Sequence, residues 1–359
     1  MKNLSRILIA IVFMLITLGA GIIFSTKGYT FFISHVGKIV FALGAFLVFA
    51  VMPYKYFRNI SKYLLVGIIL TLLYTLLFAP EIKGASRWLD LGFVRFQPSE
   101  LAKIFLLMHL AVMIEKKGDD IKDFNSGLRY MLLWIATVSG LIFFQPNVST
   151  TVVIIFTSFI LLFVGGARIF HLGSIVGGLG IIGGIGAMIL PHSRARILAF
   201  FNSVIDGGSV NLQVLQSKIA LGSGGLFGLG IGQSRQSDLF LPEPHNDFVF
   251  SVVGEELGFL GALLILFAYM SIFFVGLLIA KRAKDNFGQL LAFGLSFTIV
   301  ISAFIHVAVG LGLLPTTGIT LPFVSFGGTS IIIFSISIGI LINIALGTER
   351  HMEMRRARS

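Results

Sequence analysis

Cysteine is absent from all 359 residues. Disulfide staples, thiol nucleophiles and thiolate metal sites are therefore excluded together. Charge is scarce as well, since Asp, Glu, Lys and Arg make up only 12% of the chain, where soluble domains carry about a quarter. Acidic residues are the rarer sign, 16 against 27 basic ones. No Gly-Lys-Ser/Thr phosphate loop follows a strand-like run, and no His-Glu-x-x-His pair occurs. Neither a nucleotide-phosphate cradle nor a helical zinc site is therefore written into the chain. Low-complexity segments are missing too.

Apolar residues fill the space, at 56% of the chain with a mean hydropathy of +0.96. A helix needs about 17–25 such residues to cross a bilayer. Ten stretches qualify, near 6–25, 36–53, 62–79, 99–115, 130–146, 149–166, 169–190, 256–280, 288–312 and 328–347. The first is too long for a cleaved leader and lacks a small-residue cleavage site, so it reads as a retained span. The expected fold is an all-α polytopic membrane protein, one membrane domain over residues 1–359. A large extracytoplasmic loop, 191–255, separates spans seven and eight.

Basic residues accumulate in cytoplasmic loops close to span ends. Placing the N-terminus inside collects Lys2, Arg6, Lys55, Arg58, Lys62, Lys116, Lys117, Lys122, Arg129, Arg168, Lys281, Arg282, Lys284 and the basic tail on one face. An even number of spans returns the C-terminus to that face. The net charge of +11 then reports topology and attraction to anionic membrane lipid. Nucleic acid is not an expected partner.

Two segments break the apolar pattern in informative ways. The seventh span carries Gly173, Gly177, Gly178, Gly180, Gly183, Gly184 and Gly186. Small residues at such spacing permit close helix packing in lipid, or else leave a loosely held helix that admits a lipid-tailed substrate sideways. Residues 315–330 contain two prolines and three glycines but no charge. Irregular backbone of this apolar kind is tolerated near membrane depth only against protein or a wet cavity. It reads as a re-entrant cap, with Thr316, Thr317, Thr320 and Ser325 offering neutral hydrogen bonds.

Candidate chemistry gathers between these segments. Leu241-Pro242-Glu243-Pro244-His245-Asn246-Asp247-Phe248 brings Glu243, His245 and Asp247 together at a membrane mouth. Partial burial there would raise the carboxyl of Asp247 toward general-base strength, whereas an isolated Asp at this place would cap the following helix. Glu255 and Glu256 follow, and ionisable groups at a span default to paired or functional roles. Glu100 and Lys103 share a helix face by their spacing, and a buried Lys binds phosphate as a point charge. Arg87 and Trp88 suit a phosphate and a sugar face, or an interfacial anchor. Arg194, Arg196, Lys218 and Arg235 are cations in a loop where orientation predicts few, which points to an anionic partner. Gly222–Gly232 reads as flexible backbone able to approach phosphate oxygens.

Taken together these motifs resemble the SEDS family of peptidoglycan polymerases, from the first span to the last. The resemblance rests on Gly84-Ala85-Ser86-Arg87-Trp88-Leu89, Gln97-Pro98-Ser99-Glu100 with Lys103, Gly224-Gly225-Leu226-Phe227-Gly228-Leu229-Gly230 and Leu241-Pro242-Glu243 with Asp247-Phe248-Val249-Phe250. Gly254-Glu255-Glu256-Leu257-Gly258, Pro315-Thr316-Thr317-Gly318 and Leu321-Pro322-Phe323-Val324-Ser325-Phe326-Gly327-Gly328 complete it. Several details look more like the FtsW branch than the RodA branch. Departures include Asn147 where a carboxylate is common, Asn246 for Thr, Phe326 for Tyr, and a missing Lys beside Gln236-Ser237.

The resemblance implies an inverting glycosyltransferase that polymerises lipid II at the outer face of the cytoplasmic membrane during division or elongation. It assigns the essential aspartate to Asp247 and the fourth-span pair to Glu100 and Lys103. Substrate contacts are expected from Arg87, Trp88, Glu100, Lys103, Arg194, Arg196, Lys218, Glu243, His245 and Ser325. Undecaprenyl-diphosphate-linked glycan would be the donor, with Mg²⁺ or Mn²⁺ arriving on its diphosphate and no organic cofactor. A cognate class B penicillin-binding protein and other division or elongation proteins are the implied partners. Two rivals remain open at this point, a lipid II flippase and a non-catalytic division scaffold.

Overall fold

The computed structural model describes residues 1–80, 87–90, 95–189, 194–195, 197–201, 212–236, 241 and 244–356. The chain is built from long apolar helices. They are α1 (Lys2–Val51), α2 (Tyr54–Phe78), α3 (Pro98–Lys117), α4 (Arg129–Phe144), α5 (Val148–Val164), α6 (Ile169–Ile189), α7 (Leu212–Ser223), α8 (Val249–Arg282), α9 (Asn286–Gly310) and α10 (Gly328–Arg356). Local chemistry sets several starts. Pro98 opens α3 with its preset φ. Asn147 and Asp285 cap α5 and α9 by accepting the amides of Thr150 and Gly288.

Two helices are broken by a single glycine. Gly28 in α1 has φ 73° and ψ −169°, and Gly258 in α8 has φ 71° and ψ −171°. At Gly28 the chain turns back on itself. Lys2 lies 4.0 Å from Glu349, and the Ala50 carbonyl, near the other end of α1, accepts from Asn343 of the same helix at 2.7 Å. Both ends of α1 therefore stand at the end of the bundle that holds the chain termini. Gly28 stands at the far end, where Ser25 donates to the Glu256 carboxylate.

Seven of the helices are long and apolar enough to cross a membrane, counting α1 once. Every one of the ten segments read from the sequence is helical over most of its length. α9 and α10 run through the middle, with 72% and 78% of their apolar windows buried, against 33% for α1. Peripheral helices present Phe13, Phe41, Val51, Phe170 and Phe267 outward, as a lipid-facing surface requires. A short antiparallel pair, β1 (Leu89–Asp90) and β2 (Arg95–Phe96), lies at the far end. Thr329 pins it to the start of α10 by donating to the Arg95 carbonyl at 2.9 Å and accepting the Gln97 amide at 3.2 Å.

The glycine-rich α6 corrects one expectation. A Cβ on Gly173, Gly177, Gly178, Gly180, Gly183 or Gly184 would meet nothing within 4 Å; only Gly186 faces a neighbour, the Phe143 ring. Among the described residues, these six glycines do not pack helix against helix. The expected 191–255 loop is also partly regular. α7 lies inside it, tied to α8 and α9 by Ser217, whose hydroxyl donates to the Gly310 carbonyl at 2.7 Å and meets that of Ser251 at 2.5 Å.

Candidate active site

Residues 321–325 are irregular and buried. α8 and both halves of α1 fix their depth. Tyr269, eleven residues past Gly258, donates its hydroxyl to the Pro322 carbonyl. Gly19, nine residues before Gly28, meets the Val324 backbone so closely that a Cβ would stand 2.7 Å from its Cα. Lys38, ten residues after Gly28, lies 3.2 Å from the centroid of the Phe326 ring. At 1.5 Å per helical residue this puts the segment roughly 15 Å inside the far end. The cap is re-entrant, as its composition predicts. Phe323 there holds φ 67° with its ring fully buried, a conformation that surrounding structure must enforce.

The cap carries Asp247. The amide of Phe326 donates to the His245 carbonyl at 3.0 Å. Ser325 donates to the Asn246 carbonyl at 2.9 Å and accepts the Leu321 amide at 2.9 Å. The His245 ring packs edge-on to Phe326, centroids 5.5 Å apart, and to Phe31 at 5.7 Å. Thus the turn at 244–247 is held from beneath, with Asp247 half-exposed above it. The cap position of α8 belongs to Phe248, and no side chain caps it. Asp247 is not the helix's N-cap residue.

The helix that follows the turn, α8, holds residues 232–236 through a carboxylate-centred tie. Glu255 and Glu256 are each 1% exposed. Glu255 accepts from Ser234 at 2.5 Å and from the amides of Arg235 and Gln236 at 3.1 and 3.3 Å. Glu256 accepts the Gly232 amide at 3.2 Å and the Ser25 hydroxyl. Amide donors favour a charged carboxylate even where water is excluded. The glycine run at 222–232 therefore is not a loose phosphate cradle. A Cβ at Gly224 would stand 2.0 Å from the Gly254 carbonyl oxygen, and one at Gly228 2.1 Å from that of Glu256. Glycine is required there because backbone touches backbone.

Other expected residues fall in different places. Lys103, 5% exposed, is paired with Glu100 at 2.9 Å, so its charge is already matched inside the protein. Arg87 donates from Nε to the Gln145 carbonyl at 3.1 Å and from Nη2 to that of Pro146. Its guanidinium closes the C-terminal end of α4; the expected substrate contact is corrected to a structural clamp. Ser325 likewise is spent within the cap, with donor and acceptor both engaged. Asn147, in place of a carboxylate, caps α5. Trp88 is half-buried just before β1, and Arg194 is exposed. Lys218 is exposed on α7 with its stem against Gly312. Glu243 and Arg196 lie outside the described residues.

Two residues escaped the sequence reading. His35 is 0% exposed, and neither ring nitrogen has a hydrogen-bond partner among the described residues. Lys38, one turn further on, is half-buried and reaches the Phe326 ring and carbonyl, the latter at 3.5 Å. Burying a polar group without a partner costs about 1–3 kcal/mol. A lone cation in the apolar run 36–53 was the available signal, because charge inside a span points to function by default.

The fold and site define a class, a polytopic helical membrane protein with a re-entrant cap that supports one half-exposed carboxylate. The family model described as a cell cycle protein, covering FtsW, RodA and SpoVE, matches residues 3–350. The chain belongs to that family. A probable peptidoglycan glycosyltransferase FtsW of Geobacter sp. (strain M18) is 38% identical over 278 residues, 75% of each chain. Stage V sporulation protein E of Bacillus subtilis is 34% identical over 354 residues, 94% of this chain and 96% of its own. Among solved structures, the rod shape determining protein RodA of Thermus thermophilus superposes with a TM-score of 0.72 at 25% identity, covering 95% of this chain and 96% of its own. A chain from a peptidoglycan synthase complex coordinating polymerization and crosslinking superposes with a TM-score of 0.80 at 24% identity, covering 95% and 97%.

Proposed function

We propose that this chain is a peptidoglycan glycosyltransferase that joins lipid II units into glycan strands, with Asp247 as general base. One observation carries the assignment of the base. Asp247 is half-exposed on a turn whose neighbours are fixed by a buried cap below. A base must be held in position before its pKa matters, and the bonds from the cap to the His245 and Asn246 carbonyls support that reading. The names of the relatives support the reaction class.

In the reaction, Asp247 takes the proton from the 4-hydroxyl of an incoming lipid II sugar. The oxygen forms a bond to the anomeric carbon of the lipid-linked strand, with inversion. The bond from that carbon to the diphosphate breaks, and undecaprenyl diphosphate leaves with the electron pair. The leaving group is already anionic, so positive charge and not a second acid is what the departure needs. Arg194, Arg196 and Lys218 are proposed as further anion contacts, and Trp88, His245 and Glu243 as sugar contacts. Among the described residues no three His, Asp or Glu side chains gather to cage a metal. A Mg²⁺ or Mn²⁺ would thus draw its ligands chiefly from the diphosphate.

Basic residues crowd the termini end, with Lys2, Lys55, Arg58, Lys116, Lys117, Lys281 and Arg282 all there, which supports a cytoplasmic location for that end. Asp247 then faces the outer side of the cytoplasmic membrane. A class B penicillin-binding protein is the proposed partner, a reading supported by the likeness to a chain of a peptidoglycan synthase complex that coordinates polymerization and crosslinking. The test is polymerisation of purified lipid II with and without that partner. Wild-type protein is expected to make glycan strands, and Asp247→Ala to lose roughly 10²–10⁴ of the rate. Equal rates would remove Asp247 from the chemistry. Lipid II scrambling in vesicles without any polymer would favour a flippase instead.

A further inference from the structure

The far end of the bundle holds a positive group that the reaction above does not use. Lys38 packs its ammonium on the Phe326 ring, 3.2 Å from the centroid. No carboxylate pairs with it among the described residues, although nearly every other buried charge nearby is matched: Lys103 by Glu100, and Glu255 by amides and a hydroxyl. His35 lies one turn away on the same helix and packs on the same ring, centroids 5.6 Å apart. It is fully buried with both ring nitrogens unpartnered. Lys38 also touches the start of α10, where a Cβ on Gly328 would stand 3.9 Å from its Nζ. The first amides of a 29-residue helix add the positive end of the helix dipole. Across the Phe326 ring sits His245, two residues from Asp247.

A cation, a buried imidazole and a helix start thus meet beside the proposed base, and none of them has an anion among the described residues. A purely structural cation–π contact accounts for Lys38, but leaves the unpartnered imidazole unexplained. An anionic ligand accounts for both. We propose that Lys38, His35 and the start of α10 form the seat of the diphosphate on the lipid-linked sugar whose anomeric carbon is attacked. This rests on the glycosyltransferase reading and deepens it, because it says where the leaving group's charge is held. The seat lies roughly 15 Å inside the far end, at a depth where the carrier's hydrocarbon tail stays in the bilayer.

Two measurements on the full-length protein test it. In the first, wild-type protein in detergent is acylated at lysine and read by mass spectrometry. Undecaprenyl diphosphate is expected to shield Lys38, while undecaprenol and inorganic diphosphate at the same concentration shield it less. In the second, Lys38→Gln is expected to weaken undecaprenyl diphosphate binding and raise the KM for lipid II by about tenfold. Its kcat falls as well, since the departing diphosphate loses a cation, and Lys38→Arg restores both. Equal labelling with and without the diphosphate overturns the seat, as does a Lys38→Gln protein whose kcat, KM and undecaprenyl diphosphate binding are all unchanged. Shielding by inorganic diphosphate alone would make it an adventitious ion site and likewise overturn the lipid-linked assignment. Failure here with normal polymerisation by wild type leaves the function standing. Absence of polymerisation by wild type sinks the function, while the labelling still reads the seat.

Discussion

The two ends of the bundle handle buried polarity in opposite ways. At the termini end, charges meet charges or fixed donors. Arg58 lies 2.8 Å from Glu115, which also accepts the Phe287 amide at 3.3 Å. Tyr54 donates to Asp285 at 2.9 Å, and Asn343 bridges the Tyr54 amide and the Ala50 carbonyl. At the far end, Lys38 and His35 press on an aromatic ring, and Asp247 stands half-exposed above a strained cap. A closed network locks helix ends; an open one leaves groups for a ligand. The same sequence of apolar helices carries both, and the difference supports the far end as the place of the proposed chemistry.

Four substitutions or conditions sharpen that contrast. Gly228→Val should be the most damaging, adding a left-handed backbone cost to a clash with the Glu256 carbonyl. A loss of about 4 kcal/mol is expected, read as a lower Tm in detergent. Retained Tm would mean that the tie to α8 is slack. Ser325→Val removes the bond to the Asn246 carbonyl and the one accepted from the Leu321 amide. Polymerisation should slow by about 10–100-fold with KM little changed, whereas a KM effect alone would place Ser325 on the substrate. Arg58→Met unpairs Glu115 at the termini end. With Arg58 42% exposed, the cost should be only about 1–2 kcal/mol, and kcat per folded molecule should hold. A large kcat loss would break the division between locking and working ends.

The smallest effect concerns the loop between α3 and α4. Asp123 accepts from the Ser126 and Asn125 amides and the Ser126 hydroxyl. These bonds, the Ser126 amide first, hold its carboxyl below the usual range. A lowered folded value stabilises the loop above the ordinary carboxylate pKa, and the gain is lost as pH falls through the lowered one. Amide exchange over residues 124–128 should therefore quicken only in acid. Exchange independent of pH there, after correction for its chemistry, would contradict that bond set.

Much of this was legible in the residues, and the failures have causes. Apolar run length alone marks the helical segments, because water-free surroundings demand helices. Prolines and glycines without charge marked the re-entrant cap at 315–330. Spacing put Glu100 beside Lys103. The reversal between the segments at 6–25 and 36–53 was legible too, though not that a single glycine, Gly28, in left-handed φ does the work of a whole loop. Gly222–Gly232 misled because flexibility and backbone-to-backbone contact select the same residue; only the stretch of α8 it touches, Gly254–Gly258, tells them apart. Arg87 misled for a related reason, since a guanidinium that suits phosphate also suits helix-end carbonyls. Lys38 was overlooked among seventeen apolar neighbours of its own segment, although a solitary cation is what the membrane most strongly penalises.

The central claim is that Asp247 acts on the proton and not on binding or folding. Asp247→Asn keeps the side chain's shape and cannot accept that proton. Lipid II binding to the purified variant should match wild type while single-turnover bond formation falls by roughly 10²–10⁴-fold. Bond formation at the wild-type rate, or a loss explained wholly by weaker binding, would contradict the account.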